Sequence, residues 1–306
     1  MQTILGAGGA IGVELARILP AYTDAIRLVS RTPQKVNTAD ELFPADITKA
    51  GEVDEAVKGS EVVYLTVGFP YRLKIWKERW PATMRNVIDA CKKHKARLVF
   101  FDNVYMYDRD HLHHMTEETP VRPTTKKGLI RQQIADMLMN EVKQGNLTAL
   151  IARSADFASG KSSILYQLVT DNLLKGKKAN WLVNADKTHN FTFVSDAAKG
   201  TAILGNTPDA FNQVWHLPTD ATKLTGRQWI ELLATELNTR PRYSILSETM
   251  LGLLGIFMPV LKEVKEMAYQ YDRDYFFDST RFNQRFSYTP VAARDAVRLI
   301  AREQGS

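Results

Sequence analysis

The sequence predicts an α/β protein: a doubly wound parallel sheet with a smaller, mostly C-terminal lobe. Three observations predict it. Short apolar runs alternate with helical patterns through the first half of the chain. A glycine turn joins the first run to the first helical pattern. After Arg153 the texture changes.

The strand-like runs are "TILG" (Thr3 to Gly6), "IRLVS" (Ile26 to Ser30), "VVYLTV" (Val62 to Val67), "RLVFFD" (Arg97 to Asp102) and "LTALIAR" (Leu147 to Arg153). Their near-continuous apolar character is what strands buried on both faces require. Helical spacing appears at Ile11, Leu15, Ile18 and Leu19, then at Val87, Ile88 and Cys91, and again at Ile130, Ile134, Met137 and Leu138. Crossovers between such parallel strands are right-handed. Beyond Arg153 loops lengthen and aromatics become frequent ("NFTFV", "VWHLP", "DYFFD"). Residues 1–153 therefore read as the first domain and 154–306 as the second lobe. "FTFVS" and "VWHLP", near 191–217, are candidates to return to the large sheet. A pocket between two such lobes is the expected ligand site.

At 306 residues, with 44% hydrophobic and 24% charged side chains, the chain has the composition of a soluble globular protein. Its net charge of +6 is spread along the chain, and the densest clusters, "KGKK" and "CKKHKAR", lack the aromatic interleaving of a nucleic-acid binder. No nucleic-acid partner is expected; the charge suits anionic small molecules. The single cysteine, Cys91, cannot form an internal disulfide and sits in a helical pattern as a packed thiol, so a reducing cytoplasm is the expected compartment. "TILG" follows the N-terminus at once, leaving no room for a signal peptide. The most apolar stretch, "MLGLLGIFMPV" (Met250 to Val260), is too short to span a bilayer and is broken by Gly252, Gly255 and Pro259. It is expected to be a core or pocket-lining helix, with no membrane partner. A homodimer is compatible with the sequence, which does not fix oligomeric state.

"ILGAGGAIGVELARIL" runs strand, glycine turn, helix, with Gly6, Gly9 and Gly12 three apart. Gly6 permits the tight turn, Gly9 admits a pyrophosphate close to the backbone, and Gly12 lets the helix pack on the strand. The N–H groups of Ala10, Ile11 and Gly12 open the helix and point at the phosphates. This is the fingerprint of a dinucleotide-binding (Rossmann) domain in its proper context. The second strand chooses the cofactor. A carboxylate at its end would hold a free ribose hydroxyl, but "IRLVSRTP" offers Ser30 and Arg31 instead. Arginine suits a phosphate monoester, which favours NADP(H) over NAD(H).

Taken together these segments resemble the extended and atypical short-chain dehydrogenase/reductase superfamily, in particular its NAD(P)-dependent epimerase/dehydratase branch, over nearly the whole chain. The glycines match its G-x-x-G-x-x-G. Asp46, followed by Ile47 in "FPADIT", matches its adenine-contacting acid. Thr66, Val67 and Gly68 match its loop after the fourth strand, "NVIDAC" its asparagine-led helix, and "FTFVSDAAKG" its segment leading back to the sheet, with Asp196 opening a helix.

The departures lie where the resemblance places catalysis. In "FFDNVYMYD", Asp102 and Asn103 stand where the family has serines, with Tyr107 in register; Asp102 falls on the cofactor side, and the Asn103 amide could still polarise a substrate oxygen. In "RPTTKKGLIR", Lys127 stands for the catalytic tyrosine and Arg131 for the lysine, one helical turn apart. Arg131 could bind the nicotinamide ribose but not shuttle a proton. Lys127 could serve as acid and base, unless both cations are ordinary surface charges. Tyr105, after the fifth strand, is a second candidate acid. Tyr107 matches a structural residue and is also a candidate substrate contact. After the sixth strand "RSADF" puts Asp156 where nucleotide-sugar enzymes carry a substrate-touching asparagine; a carboxylate repels a diphosphate and accepts hydroxyl or amine donors. Phe157, Phe191 and Phe193 could line such a pocket. "HLHHM" lacks supporting ligands, so no metal is expected, and His113 or His114 reads at most as a substrate contact.

Two functions compete. One is an NADP(H)-dependent oxidoreductase or epimerase-like enzyme acting by hydride transfer on a small carbonyl or hydroxyl substrate. The other is a non-catalytic NADP(H)-binding redox sensor, which would account for the exchanged tyrosine and lysine without new chemistry.

Overall fold

A computed structural model describes residues 1–161, 163–257 and 259–302 of the chain. The elements run in order β1 (Gln2–Leu5), α1 (Ala10–Ile18), β2 (Ile26–Ser30), β3 (Glu41–Pro44), α2 (Ala50–Val57), β4 (Val62–Leu65), α3 (Leu73–His94), β5 (Arg97–Asp102), α4 (Lys126–Lys143) and β6 (Ala149–Arg153). They continue with α5 (Asp171–Leu174), β7 (Ala179–Leu182), α6 (Val194–Gly205), β8 (Val214–His216), α7 (Gly226–Glu236), β9 (Tyr243–Leu246), α8 (Glu248–Phe257), α9 (Pro259–Lys265), α10 (Thr280–Phe286) and α11 (Ala293–Arg302).

The chain divides into two compact units. Unit 1 comprises Met1–Met106, Lys126–Ser154 and Ala197–Leu217; unit 2 comprises Tyr107–Thr125, Ala155–Asp196 and Pro218–Ser306. The partition is interleaved: the segment between β5 and α4 leaves unit 1, and β8 returns to it.

Unit 1 is a seven-stranded parallel sheet of order β3-β2-β1-β4-β5-β6-β8. The order reverses between β1 and β4, and a parallel sheet binds ligands at such a switch, outside the carboxyl ends of its strands. All residues of β1, β4 and β6 are buried, because helices cover both faces. Val63, Leu65, Leu98, Phe100 and Ile151 meet Val87, Ile88, Cys91, Ile134 and Leu138 in one core. Burial there pushes the Cys91 thiol well above its ordinary value. The third strand, β3, escapes the apolar pattern because it is an edge strand with mostly exposed side chains. The helix expected from Asn86 starts much earlier, at Leu73, and carries Pro81 inside it.

Unit 2 holds a two-stranded parallel sheet, β7 with β9. Trp181, Phe191, Trp229, Ile230, Leu233, Val297 and Ile300 form its core. Of the two segments expected to return to the large sheet, "VWH" does so as β8. "FTFV" does not: Thr192 makes an isolated bridge with Phe157, and Phe191 and Phe193 pack into the unit 2 core. Asp196 lies in the first turn of α6, where its carboxylate accepts from Tyr288 Oη at 2.6 Å and the Val291 amide at 2.8 Å. The apolar run 250–260 forms part of α8 and α9 and is two-faced, with Leu251 buried and Met250 and Leu253 exposed. Residue 258, and the side chains of 254, 256, 257, 259 and 260, lie outside the described residues.

Candidate active site

The turn after β1 is built by exclusion of side chains. Gly6 adopts φ +106°, and a Cβ there would lie 2.6 Å from the Val67 backbone. A Cβ on Gly12 would lie 2.6 Å from the Gly6 carbonyl oxygen and 2.8 Å from Ala7 Cα. Both glycines are therefore required by the protein's own packing. Gly9 is different. Its φ of −83° suits any residue and a Cβ would meet nothing nearer than 3.6 Å, so what it leaves open is the space in front of the turn. Gly9 caps α1, and among the described residues no side chain satisfies the first N–H groups of that helix. An open backbone surface at a helix N-terminus fits a pyrophosphate.

Around this turn the other expected contacts sit at strand ends. Ser30 closes β2, and Arg31 follows it, exposed and without a hydrogen bond or ion pair among the described residues. Asp46 comes two residues after β3. Its Oδ1 accepts from Thr48 N at 3.0 Å and Thr48 Oγ1 at 2.8 Å, and those bonds hold its carboxyl below the ordinary value. Ile47 is buried beside it. Thr66, Val67 and Gly68 follow β4; Thr66 N donates to Leu5 O at 2.9 Å, and Gly68 is exposed.

The end of β5 carries Asp102 and Asn103, two of the residues that the sequence resemblance places at the catalytic positions. Asp102 is 1% exposed and bridges two arginines. Arg131 Nε donates to Oδ1 at 2.8 Å, its Nη2 donates to the same oxygen, and Arg153 Nε donates to Oδ2 at 3.3 Å. The Asn103 amide nitrogen also donates to Oδ1 at 2.8 Å. Asp102 is thus occupied within the protein, as is much of the Arg131 fork. Asn103 Oδ1 accepts from Tyr105 N at 3.1 Å in a local turn, which leaves its Nδ2 donors unused among the described residues.

Lys127 and Arg131 are not surface charges. They are 0% and 3% exposed, on the buried face of α4. Aromatic rings receive both. Lys127 Nζ lies 4.6 Å from the Tyr71 ring, and the Arg131 guanidinium lies 4.4 Å from Trp80 and 5.0 Å from Phe100. Each contact of this kind is worth on the order of 2 kcal/mol once water is excluded. Tyr105 joins the same wall, its ring nearly parallel to Trp76 at 6.2 Å, with Trp76 edge-on to Tyr71 at 5.5 Å. Asp102, Asn103, Tyr105, Lys127 and Arg131 are therefore one contiguous group in unit 1. Sequence reasoning misses the aromatic partners Tyr71, Trp76 and Trp80, because "YRLKIWKERW" reads as a mixed surface helix.

The remaining expected residues belong to unit 2. Tyr107 is buried and bridges Val121. Asp156 Oδ2 accepts from His189 Nε2 at 3.2 Å and from Tyr271 Oη at 3.0 Å, and Phe157 is partly exposed beside it. His189 carries no spacing signal that links it to Asp156. His114 Nε2 lies 2.8 Å from Asp278, and His113 Nδ1 lies 3.2 Å from the Asp110 carbonyl oxygen. Among the described residues no three ligand-type side chains gather as a metal site would need, and no helix is long and apolar enough to cross a membrane.

A family model described as the NAD dependent epimerase/dehydratase family matches residues 3–216, more than two thirds of the chain. The chain belongs to the NAD-dependent epimerase/dehydratase family. No curated protein matches it significantly. Solved structures share its fold. A UDP-glucuronic acid 4-epimerase from Bacillus cereus in complex with NAD is 14% identical, with a TM-score of 0.79 over 99% of this chain and 96% of that one. A dTDP-glucose 4,6-dehydratase from Streptomyces venezuelae, with NAD and TYD bound, is 15% identical with the same TM-score and coverage. The UDP-glucose 4-epimerase of Thermus thermophilus, complexed with NAD, is 14% identical, with a TM-score of 0.78 over 99% and 98% of the two chains. As a member of the epimerase/dehydratase family, this chain is an enzyme of epimerase/dehydratase type that works with a nicotinamide cofactor.

Proposed function

We propose that this family member uses NADP(H) to carry out hydride transfer on a small carbonyl or hydroxyl substrate, with Lys127 in the acid–base role that the family gives to tyrosine. The observation that carries the reading is the burial of Lys127 on α4, one turn from Arg131. A buried ammonium is costly, and helices rarely retain one that does nothing. A bound nicotinamide would supply or accept the hydride. The chain's residues manage the proton: Asn103 Nδ2 donates to the substrate oxygen, and Lys127 gives that oxygen a proton on reduction or takes one on oxidation. Arg131, held by Asp102, keeps positive charge beside this corner.

Tyr105 is the rival donor, favoured by access: it is partly exposed where Lys127 is covered. Its phenol follows β5 directly and leans on the same aromatic wall. In this reading Lys127 would tune the field rather than exchange the proton.

The cofactor residues are assigned to unit 1. Gly6, Gly9 and the amides of Ala10, Ile11 and Gly12 take the pyrophosphate, and Asp46 and Ile47 lie at the adenine. Thr66 to Gly68 flank the nucleotide. Ser30 and Arg31 take the 2′-phosphate. What supports NADP(H) is an exposed, uncommitted Arg31 at the end of a strand that carries no acid. In unit 2, Asp156 and Phe157 are assigned to the substrate, and Asp156 argues against a diphosphate beside it.

The test is a fluorescence titration with NADPH and NADH, followed by loss of NADPH absorbance over a panel of small carbonyl compounds. NADPH is expected to bind more tightly than NADH, with the preference lost in Arg31→Ala. Turnover is expected to fall at least a hundredfold in Lys127→Ala with NADPH binding kept, about the contribution of one general acid. A hundredfold fall in Tyr105→Phe, with Lys127→Ala near wild type, would transfer the role to the phenol. Equal binding of the two nucleotides would overturn the cofactor choice.

A further inference from the structure

We propose that His189 is a positioning residue for Asp156, holding one carboxylate oxygen so that the other meets a hydrogen-bond donor of the substrate, a hydroxyl or an ammonium. The proposal rests on the assignment of Asp156 to the substrate.

His189 is 1% exposed and lies flat between two rings: Tyr271 at 4.2 Å with an interplanar angle of 13°, and Tyr275 at 4.2 Å with 5°. Its backbone is tied on both sides. Its N–H donates to Leu224 O at 2.9 Å, and its carbonyl accepts from Trp229 Nε1 at 2.8 Å. The ring plane is therefore fixed, and within it the bond to Asp156 sets which way the ring faces. Nε2 meets Asp156 Oδ2 at 3.2 Å, and since a carboxylate only accepts, Nε2 carries the hydrogen. Nδ1 is buried with no hydrogen-bond partner among the described residues.

Packing alone does not account for a histidine here. Phenylalanine would fill the same slot between two tyrosines without burying an unsatisfied nitrogen. What imidazole adds is the bond to Asp156. Tyr271 Oη reaches the same oxygen at 3.0 Å, so Oδ2 is fully engaged. The Asp156 carbonyl, accepting from Thr192 N at 2.8 Å, fixes the backbone below it. Oδ1 accepts nothing among the described residues, and the side chain is 17% exposed. The arrangement leaves one aimed, accepting oxygen at the surface of unit 2. Such an oxygen selects donors and repels phosphate.

Trp181 stands edge-on to His189 at 6.3 Å and serves as the reporter. The full chain would be titrated with glucose, glucosamine and glucose 1-phosphate while tryptophan fluorescence is followed, and each variant would also be titrated with NADPH. Glucose or glucosamine is expected to saturate the signal, and glucose 1-phosphate to bind at least tenfold more weakly. Glucosamine binding about tenfold more tightly than glucose identifies the ammonium as the donor; equal binding identifies the hydroxyl. His189→Phe keeps the stack and loses the bond, so affinity for the better probe is expected to fall about tenfold, the worth of one such hydrogen bond. His189→Gln restores a donor and is expected to lie within about threefold of wild type, while Asp156→Ala abolishes the signal.

Wild-type affinity in His189→Phe, or in Asp156→Ala, overturns the proposal, as does failure of every probe to saturate the wild type. Unchanged NADPH binding certifies that a variant is folded. Failure of the wild type to bind NADPH counts against the cofactor reading and leaves the sugar titration standing. Should His189→Phe not fold, the Nε2 resonance of 15N-labelled His189 in the wild type decides: it is expected to move as the probe saturates, and a stationary resonance overturns the proposal.

Discussion

The turn after β1 and the corner where β5 meets α4 belong to the same unit and lie at the same ends of the same sheet, yet the family resemblance read from the sequence holds to different degrees in them. In the turn, each glycine stands where the family pattern puts it. At the corner, the same resemblance sets four positions against other residue types. The difference follows from what each does with its atoms. In the proposed function the turn works through backbone N–H groups and empty space, and a Cβ on Gly6 or Gly12 would strike backbone at 2.6 Å. No alternative side chain exists for such a site. The corner works through side chains, and a charged group there can be exchanged if its new neighbours are exchanged with it. Asp102 and Arg131 are a matched pair, and Trp80 and Phe100 complete the seat of the guanidinium.

That contrast can be broken most forcefully at Asp102. Asp102→Asn leaves Arg131 and Arg153 buried without their carboxylate and is expected to cost about 3–5 kcal/mol in chemical denaturation. A loss below about 1 kcal/mol would mean that the corner is held by packing rather than by charge. Next is Gly12→Ala, whose Cβ meets two backbone groups under 3 Å; a loss of about 1–3 kcal/mol and of dinucleotide binding together is expected. Gly9→Ala separates those two effects. Stability should stay within about 0.5 kcal/mol, because no internal atom is near, while affinity for NADPH falls about tenfold or more. Parallel losses in both would show that Gly9 is structural too.

The smallest effect sharpens the rim of the turn. Thr48 hydrogen bonds depress the Asp46 carboxyl below the ordinary 3.8, so the folded state favours the ionised form. A depressed carboxyl contributes stability that is present above its unfolded value and lost as pH falls through the folded one. Thr48→Ala is therefore expected to be slightly less stable than wild type at neutral pH, with the gap closing below pH 3.8. Denaturation curves at several pH values would check it, and a gap that widened in acid would contradict the assignment.

How far the sequence can be read divides along the same line. The buried strands β1, β2, β4, β5 and β6 are legible because burial on both faces leaves an apolar run. The edge strand β3 is not, since exposed strands need no such run. The start of α3 is hidden by Pro81 and by charged residues between Trp76 and Trp80. The glycine turn announces itself through spacing. The corner is legible only through the family resemblance: the sequence leaves Lys127 open between an acid–base group and a surface charge, and nothing near position 127 signals that Tyr71 lies over it. His189 and Asp156 are 33 residues apart and share no period. Their pairing is a product of tertiary structure alone.

Cys91 gives the molecule a clock. It is the chain's single thiol, fully buried on the inner face of α3, and burial suppresses its reactive thiolate. An alkylating reagent can reach it only when α3 lifts from the sheet, so the rate of modification reports the opening of that helix. The same helix carries Trp80, which seats Arg131, and Trp76, which packs edge-on to the Tyr71 ring under Lys127. Slower labelling with dinucleotide bound would measure, in seconds or hours, how strongly occupancy of the glycine turn restrains a helix that never touches it in sequence.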